Sequence, residues 1–421
     1  MFIFVAMKIA DYKSEIALLI ATIAMLVVIF SLNDNEEPKI IVTPSLSPKN
    51  TITYSPQQIT QINDLMMFMS NKRNFSGAML IGQKDSILYT FSHGFADYKT
   101  RDTITDTTAF QLASVSKQFT AVAILQLYEQ GKLHLNDKVI SYLPSFPYAD
   151  ITIHQLLVHR SGLPNYCYLC DRKKMLDDEF FSNQQIVSEL IEANAGRYFY
   201  PNRRFQYSNT GYAVLAAVVE AVSGLKFESY LQQNIFQPLK MRNTFAYRAM
   251  KSVDYPQHAT GYVARKRRAD DNYLDHFLGD KGIYSTITDL FTWDQALYTD
   301  KIINHDTLQL AFRPMGMRPT ARTNYGYGWR LATYADSIKI QYHSGWWHGF
   351  KTMLVRVPQD TTTIVVLRNN SNRSGGVSFN QILSILYPSA LPDNINFEEI
   401  DSVAIEADTN QVSLYDTLSV E

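Results

Sequence analysis

The stretch Phe119-Thr120-Ala121-Val122-Ala123-Ile124-Leu125-Gln126-Leu127 is apolar nearly all the way round a helix, a pattern that suits no surface position. Such a helix has to be enclosed on every side, so the rest of the chain is read as cover for it. Gly131 is placed to end it. Just ahead of it lie Ser114 and Lys117, in Phe110-Gln111-Leu112-Ala113-Ser114-Val115-Ser116-Lys117. A spacing of three puts both side chains on one helix face, where hydroxyl and amine reach the same point. Alone, the pair also describes a capping serine and a solvated lysine, so its weight depends on partners elsewhere.

The cover is supplied from both ends of the chain. Pro56 to Asn71 carries Ile59, Ile62, Leu65, Met66 and Met69 at helical spacing. Gly77 to Ile81 and Ile87 to Phe91 form a hairpin pattern around Gly82-Gln83-Lys84-Asp85. Helices are expected at Ile153–Val158, Asn183–Ala193, Thr210–Val222, Phe227–Ile235 and Ile287–Tyr298. Strands are expected at Lys339–His343, Phe350–Val357 and Thr361–Leu367, then a helix at Val377–Tyr387. This order predicts an α/β (α+β) fold: an antiparallel sheet built from both chain ends and flanked by helices, with a helical region inserted between them.

The N-terminus implies an address. Ile16 to Leu32 is an apolar run without a charge, close to the length that spans a bilayer, with Lys8 and Lys13 before it and Asp34, Glu36 and Glu37 after it. The reading is a membrane anchor over residues 1–32, a cleaved signal peptide being the competing one. A polar linker over 33–55, a globular domain over 56–390 and an acidic tail over 391–421 follow. The globular domain is then expected on the exported side of a cell membrane. A formal net charge of -1 argues against a nucleic-acid partner.

A serine hydroxyl needs a base within hydrogen-bond reach to act as a nucleophile, and Lys117 serves if its pKa is depressed. Two further clusters supply company. Tyr207-Ser208-Asn209 lies in a polar loop before an apolar helix, where a phenol can pass protons and an amide can hold both an amine and a substrate carbonyl. The plainer reading is a capping loop. His343-Ser344-Gly345 ends one strand-like run, and Trp346-Trp347-His348-Gly349 leads into the next. Glycine at 345 lets a substrate approach the strand backbone, although a simple hairpin turn gives the same pattern.

Together these motifs resemble the penicillin-recognising serine hydrolases, in the branch of class C β-lactamases, D-alanyl-D-alanine carboxypeptidases and related esterases. That branch is marked by Ser-x-x-Lys, Tyr-x-Asn and Lys-Thr-Gly or His-x-Gly, present here in order as Ser114–Lys117, Tyr207–Asn209 and His343–Gly345. His159-Arg160-Ser161-Gly162-Leu163-Pro164, Gly282-Ile283-Tyr284-Ser285-Thr286 and Tyr325-Gly326-Tyr327-Gly328-Trp329 look like the same family, and the resemblance runs from about Tyr54 to Tyr387. It implies a β-lactamase/transpeptidase-like fold and an acyl-enzyme on Ser114, with Lys117 and Tyr207 sharing acid and base duty. It also implies that Asn209 orients Lys117 and the substrate. The N–H groups of Ser114 and Trp346 would form the oxyanion hole, and His343 with Ser344 and Gly345 would line the opposite wall. The expected substrate is a small molecule or peptide with an ester or amide bond.

Histidine rather than lysine at 343 weakens attraction for an anionic substrate, because an unperturbed imidazole is mostly neutral at pH 7. That ranks esterase or D-amino-acid peptidase action above β-lactam breakdown. A non-catalytic binder of cell-wall peptide or an acyl ligand is the alternative from another class. No cofactor or metal is expected. His154 and His159 do not complete a zinc site with Cys167 and Cys170, no His-Glu-x-x-His helix or phosphate-binding glycine loop is present, and His159 is read as structural. Cys167 and Cys170 are read as a local disulfide or two thiols.

Overall fold

The computed structural model describes residues 54–389, except 170–182, 249–254, 264–265, 318–322, 335–336 and 373–374. The anchor, linker and acidic-tail expectations lie outside the described residues, as does Cys170 and with it the disulfide question. Among the described residues no single helix is long and apolar enough to cross a membrane.

Helix α1 (Pro56–Arg73) starts at a capping box between Ser55 and Gln58, has proline at its first position and ends at left-handed Asn74. It leads into strands β1 (Gly77–Gln83) and β2 (Ser86–His93), the expected hairpin. Helix α2 (Lys117–Glu129) is the enclosed helix, buried from Lys117 to Leu127. Gly131 follows its end in the left-handed region, and Lys132 N–H returns to the Leu127 carbonyl. The inserted region carries α3 (Ile153–Leu157), α4 (Gln185–Glu192) and α5 (Asn209–Ser223). The expected helix at Phe227–Ile235 divides into an α turn at Phe227–Leu231 and a π turn at Gln232–Phe236.

After α6 (Ile287–Ala296) the chain lays down β3 (Thr323–Tyr325), β4 (Arg330–Tyr334), β5 (Ile338–Trp347), β6 (Phe350–Val357) and β7 (Thr362–Arg368), then α7 (Phe379–Leu386). The seven strands form one antiparallel sheet in the order β3-β4-β5-β6-β7-β1-β2, so β1 from the front of the chain pairs with β7 from its end. Residues on alternate sides of the strands then build two cores. Ile81, Tyr342, Val355 and Ile364 meet α1 and α7 on one side. Leu80, Leu354, Val365 and Leu367 meet the layer containing α2 on the other. There Phe119 stacks on Trp293 at 4.2 Å between ring centroids, which ties α2 to α6.

One strand differs from expectation. β5 runs unbroken from Ile338 to Trp347, and the turn falls later, at His348–Gly349, where φ is 42° and 81°. A two-residue turn with both φ positive matches the twist of a hairpin, which a bend at Ser344–Gly345 lacks.

Candidate active site

Ser114 lies in a 3-10 turn, Ala113–Ser116, immediately before α2 rather than on its first α turn. The turn enters through Ala113 at φ 47°, a left-handed value that an alanine adopts only under constraint. Leu112 supplies that constraint: its N–H donates to the Ile283 carbonyl at 2.7 Å, and its carbonyl accepts from Thr352 Oγ1 at 2.7 Å. Strand β6 and residues 283–285 thus grip the turn just ahead of the serine.

Lys117 is fully buried, yet its Nζ is well supplied with partners. It donates to Asn209 Oδ1 at 2.8 Å and to the Asp280 carbonyl at 2.9 Å, and lies 3.0 Å from Ser114 Oγ. The first two atoms only accept, so each takes an N–H. In a neutral amine the position left for the lone pair faces Ser114 Oγ, the one partner of the three with a proton to give.

Asn209 is the first residue of α5, held there because Ser208 caps the helix by accepting from Gly211 N–H at 3.2 Å. The capping reading of this loop and its functional reading therefore coexist. The Tyr207 ring packs under the amine, with Lys117 Nζ 4.9 Å from its centroid. On another side the Arg330 guanidinium lies 5.5 Å from the same centroid.

His343 is 1% exposed, so its ring stands behind the wall it was expected to line. Nδ1 meets the Ser344 carbonyl at 2.6 Å and therefore carries the proton, which leaves Nε2 to accept from the Tyr325 hydroxyl at 3.0 Å. Burial, then the Arg330 guanidinium, holds this imidazole well below its ordinary 6.5. It is neutral, and the neutral form uses both nitrogens.

A family profile described as Beta-lactamase matches residues 62–385. The chain belongs to the beta-lactamase family. Penicillin-binding protein 4* of Bacillus subtilis is 35% identical over 325 residues, 73% of this chain and 71% of that protein. The D-aminopeptidase of Brucella canis is 22% identical over 325 residues, 76% of this chain and 62% of that one. The crystal structure of a penicillin binding protein from Bacillus halodurans superimposes with a TM-score of 0.66 at 26% identity, covering 77% of this chain and 98% of that one. This chain is accordingly a serine hydrolase of the beta-lactamase family, with its α/β fold.

Within this beta-lactamase-family site the structure brings Ser114, Lys117, Tyr207 and Asn209 together, with His343 behind them. Ser344 differs from expectation. Side chains alternate along β5, and Tyr342 belongs to the core against α7, stacked on Phe379. Ser344 and Trp346 share the face of Tyr342, so only their backbone is available on the Ser114 side. Gly345 also has a different reason: a Cβ there would come within 2.4 Å of Leu112 O and 2.9 Å of Ala113 Cβ. The close approach it allows is that of the serine turn itself. Strand β4 ends opposite Tyr342, so residues 343–347 pair with β6 and with no β4 residue on their other edge.

Asp280 is the member that sequence reasoning missed. Its carbonyl takes one Lys117 hydrogen, while its carboxylate accepts from Tyr166 Oη at 3.1 Å. Tyr166 Oη in turn accepts from Lys281 Nζ at 2.8 Å, and Lys281 also donates to the Leu274 and Phe277 carbonyls. The available signal was two charged residues, Asp280 and Lys281, bracketed by Gly279 and Gly282 ahead of an apolar strand.

Proposed function

We propose that Ser114 is the acylated nucleophile of an esterase or D-amino-acid peptidase. The observation that carries this is the placement of Lys117 Nζ 3.0 Å from Ser114 Oγ, with Asn209 Oδ1 and the Asp280 carbonyl as two further partners that only accept. As a neutral amine Lys117 gives each of those an N–H and turns its lone pair to the Ser114 hydroxyl. Lys117 takes the hydroxyl proton as Oγ attacks the scissile carbonyl. The oxyanion is met by the N–H groups of Ser114 and Trp346; the first lies in an opening helical turn, where backbone donors have no intrahelical partner. Collapse breaks the bond to the leaving alcohol or amine, which takes a proton from the Lys117–Tyr207 pair. Water, deprotonated by the same pair, then releases the acid and restores Ser114.

The substrate reading follows from charge. The neutral, buried His343 puts no cation at the cleft surface, and Arg330 lies buried beside the Tyr207 ring. This favours an ester or D-aminoacyl amide over a β-lactam carboxylate, in keeping with the D-aminopeptidase among the relatives. From the apolar run Ile16–Leu32 we further propose a single-pass anchor with the domain over 56–390 on the exported side.

The deciding experiment treats the protein with a fluorophosphonate and locates the adduct by mass. The expected result is one adduct on Ser114, and loss of ester turnover in Ser114→Ala. Turnover that survives in Ser114→Ala, or no adduct on Ser114, sinks the proposal; ligand binding without turnover then favours a binding protein.

A further inference from the structure

We propose that His159 is a positioning residue that fixes Tyr207 against Lys117, a role that rests on the hydrolase reading above. Both backbone neighbours of Tyr207 are tied to this one residue. Ser208 N–H donates to His159 Nδ1 at 3.1 Å, and Gln206 N–H donates to the His159 carbonyl at 2.9 Å. Between those two bonds the imidazole lies against the Tyr207 ring, 4.3 Å between centroids and 37° apart in plane. Tyr325 at 4.5 Å and Tyr212 at 5.1 Å hold the imidazole from other sides. His159 thus holds the backbone on both sides of Tyr207 and packs against its ring.

An ordinary core histidine does not account for the costs accepted here. His159 sits at φ 57°, in the left-handed region that a non-glycine residue rarely occupies. Its ring is fully buried, and Nε2, which carries the proton because Nδ1 accepts, has no hydrogen-bond partner among the described residues. A leucine or phenylalanine would fill the same space without an orphaned donor. What neither supplies is an acceptor for Ser208 N–H. Burial above all lowers the ring's proton affinity, which favours the neutral form with Nδ1 as an acceptor.

The test compares two amides of similar polarity in the full-length protein. In His159→Asn the oxygen stands two bonds from Cβ, as Nδ1 does, and asparagine tolerates left-handed backbone. In His159→Gln the oxygen stands one bond farther out and misses Ser208 N–H. Ester hydrolysis, melting temperature and a crystal structure are measured for each. H159N is expected to keep kcat within about fivefold, and H159Q to lose about 100-fold in kcat with KM little changed, as for an ångström-scale misplacement. Equal kcat in the two variants, or losses that follow only the folded fraction, overturn the assignment. Should H159Q fail to fold, H159N decides alone: a loss of kcat near 100-fold in a folded H159N overturns it. If the wild-type protein hydrolyses nothing, the hydrolase reading fails, and the clamp is judged by structure. A Tyr207 ring displaced in H159Q and in place in H159N supports it; an unmoved ring in H159Q removes it.

Discussion

The Tyr325 hydroxyl donates to His343 Nε2 at 3.0 Å while Nδ1 donates to the Ser344 carbonyl, so the imidazole is locked as one neutral tautomer. Protonation would set two donors against each other at Nε2. The folded pKa is lowered, whereas the unfolded chain titrates near 6.5. Below that value the unfolded state binds the extra proton, so His343 costs stability as pH falls from about 6.5 toward the folded pKa. His343→Gln should therefore show a shallower loss of stability than the wild type across that window, read by urea unfolding at several pH values. The kcat/KM profile should carry no step near 6.5 that disappears in His343→Gln; such a step would show a titrating His343.

Lysine at 343, the residue of the other motif form, should not convert this site. It would place an ammonium beside the Lys117 amine and the Arg330 guanidinium in a position that is 1% exposed. A buried, unpaired charge costs roughly 3–5 kcal/mol. The expected outcome for His343→Lys is a lower urea midpoint and no gain in hydrolysis of a chromogenic cephalosporin. A stable variant with new cephalosporin turnover would show that charge at 343 alone limits this site.

What was legible in the sequence has a physical boundary. The β1–β2 hairpin, the enclosed α2 and the pairing of chain ends each rest on side-chain patterns, and those are written in the residues. The site features that escaped notice belong to the backbone. Asp280 reaches Lys117 through a carbonyl, which every residue type possesses. Ala113 takes a left-handed φ because β6 and residues 283–285 hold Leu112, a tertiary cause with no local signature. Gly345 stands out in the sequence, but one sequence does not say whether substrate or the protein's own chain fills the space beside a glycine.

Tyr166→Phe tests the support behind Asp280. The hydroxyl hydrogen-bonds one oxygen of the buried Asp280 carboxylate, and Lys281 Nζ stands 3.7 Å from the other, so loss of the hydroxyl leaves that acid to the ion pair alone. A stability loss of about 1–3 kcal/mol is expected. Because the Asp280 carbonyl orients Lys117, the rate of fluorophosphonate acylation should fall as well. Unchanged acylation with lowered stability would separate the two roles and remove Asp280 from the site's support.

The buried pair Asp294–Arg356 gives a prediction remote from the chemistry. Arg356 Nε lies 3.0 Å from Asp294 Oδ1, joining α6 to β6, and the guanidinium packs 4.3 Å over the Tyr298 ring. Thr363 and Gln295 both donate to the other carboxylate oxygen. Burial nonetheless raises the Asp294 pKa, a pull that Arg356 only partly offsets. Arg356→Leu therefore leaves an uncompensated buried carboxylate and should cost roughly 3–5 kcal/mol at pH 7. Its stability should recover as pH falls, because a raised folded pKa means the native state takes up the proton before the unfolded one does. The double change Asp294→Leu with Arg356→Leu removes both charges and should be less damaging than the sum of the single changes. Urea unfolding of the four proteins closes the cycle, and additive losses would show that the two charges do not interact.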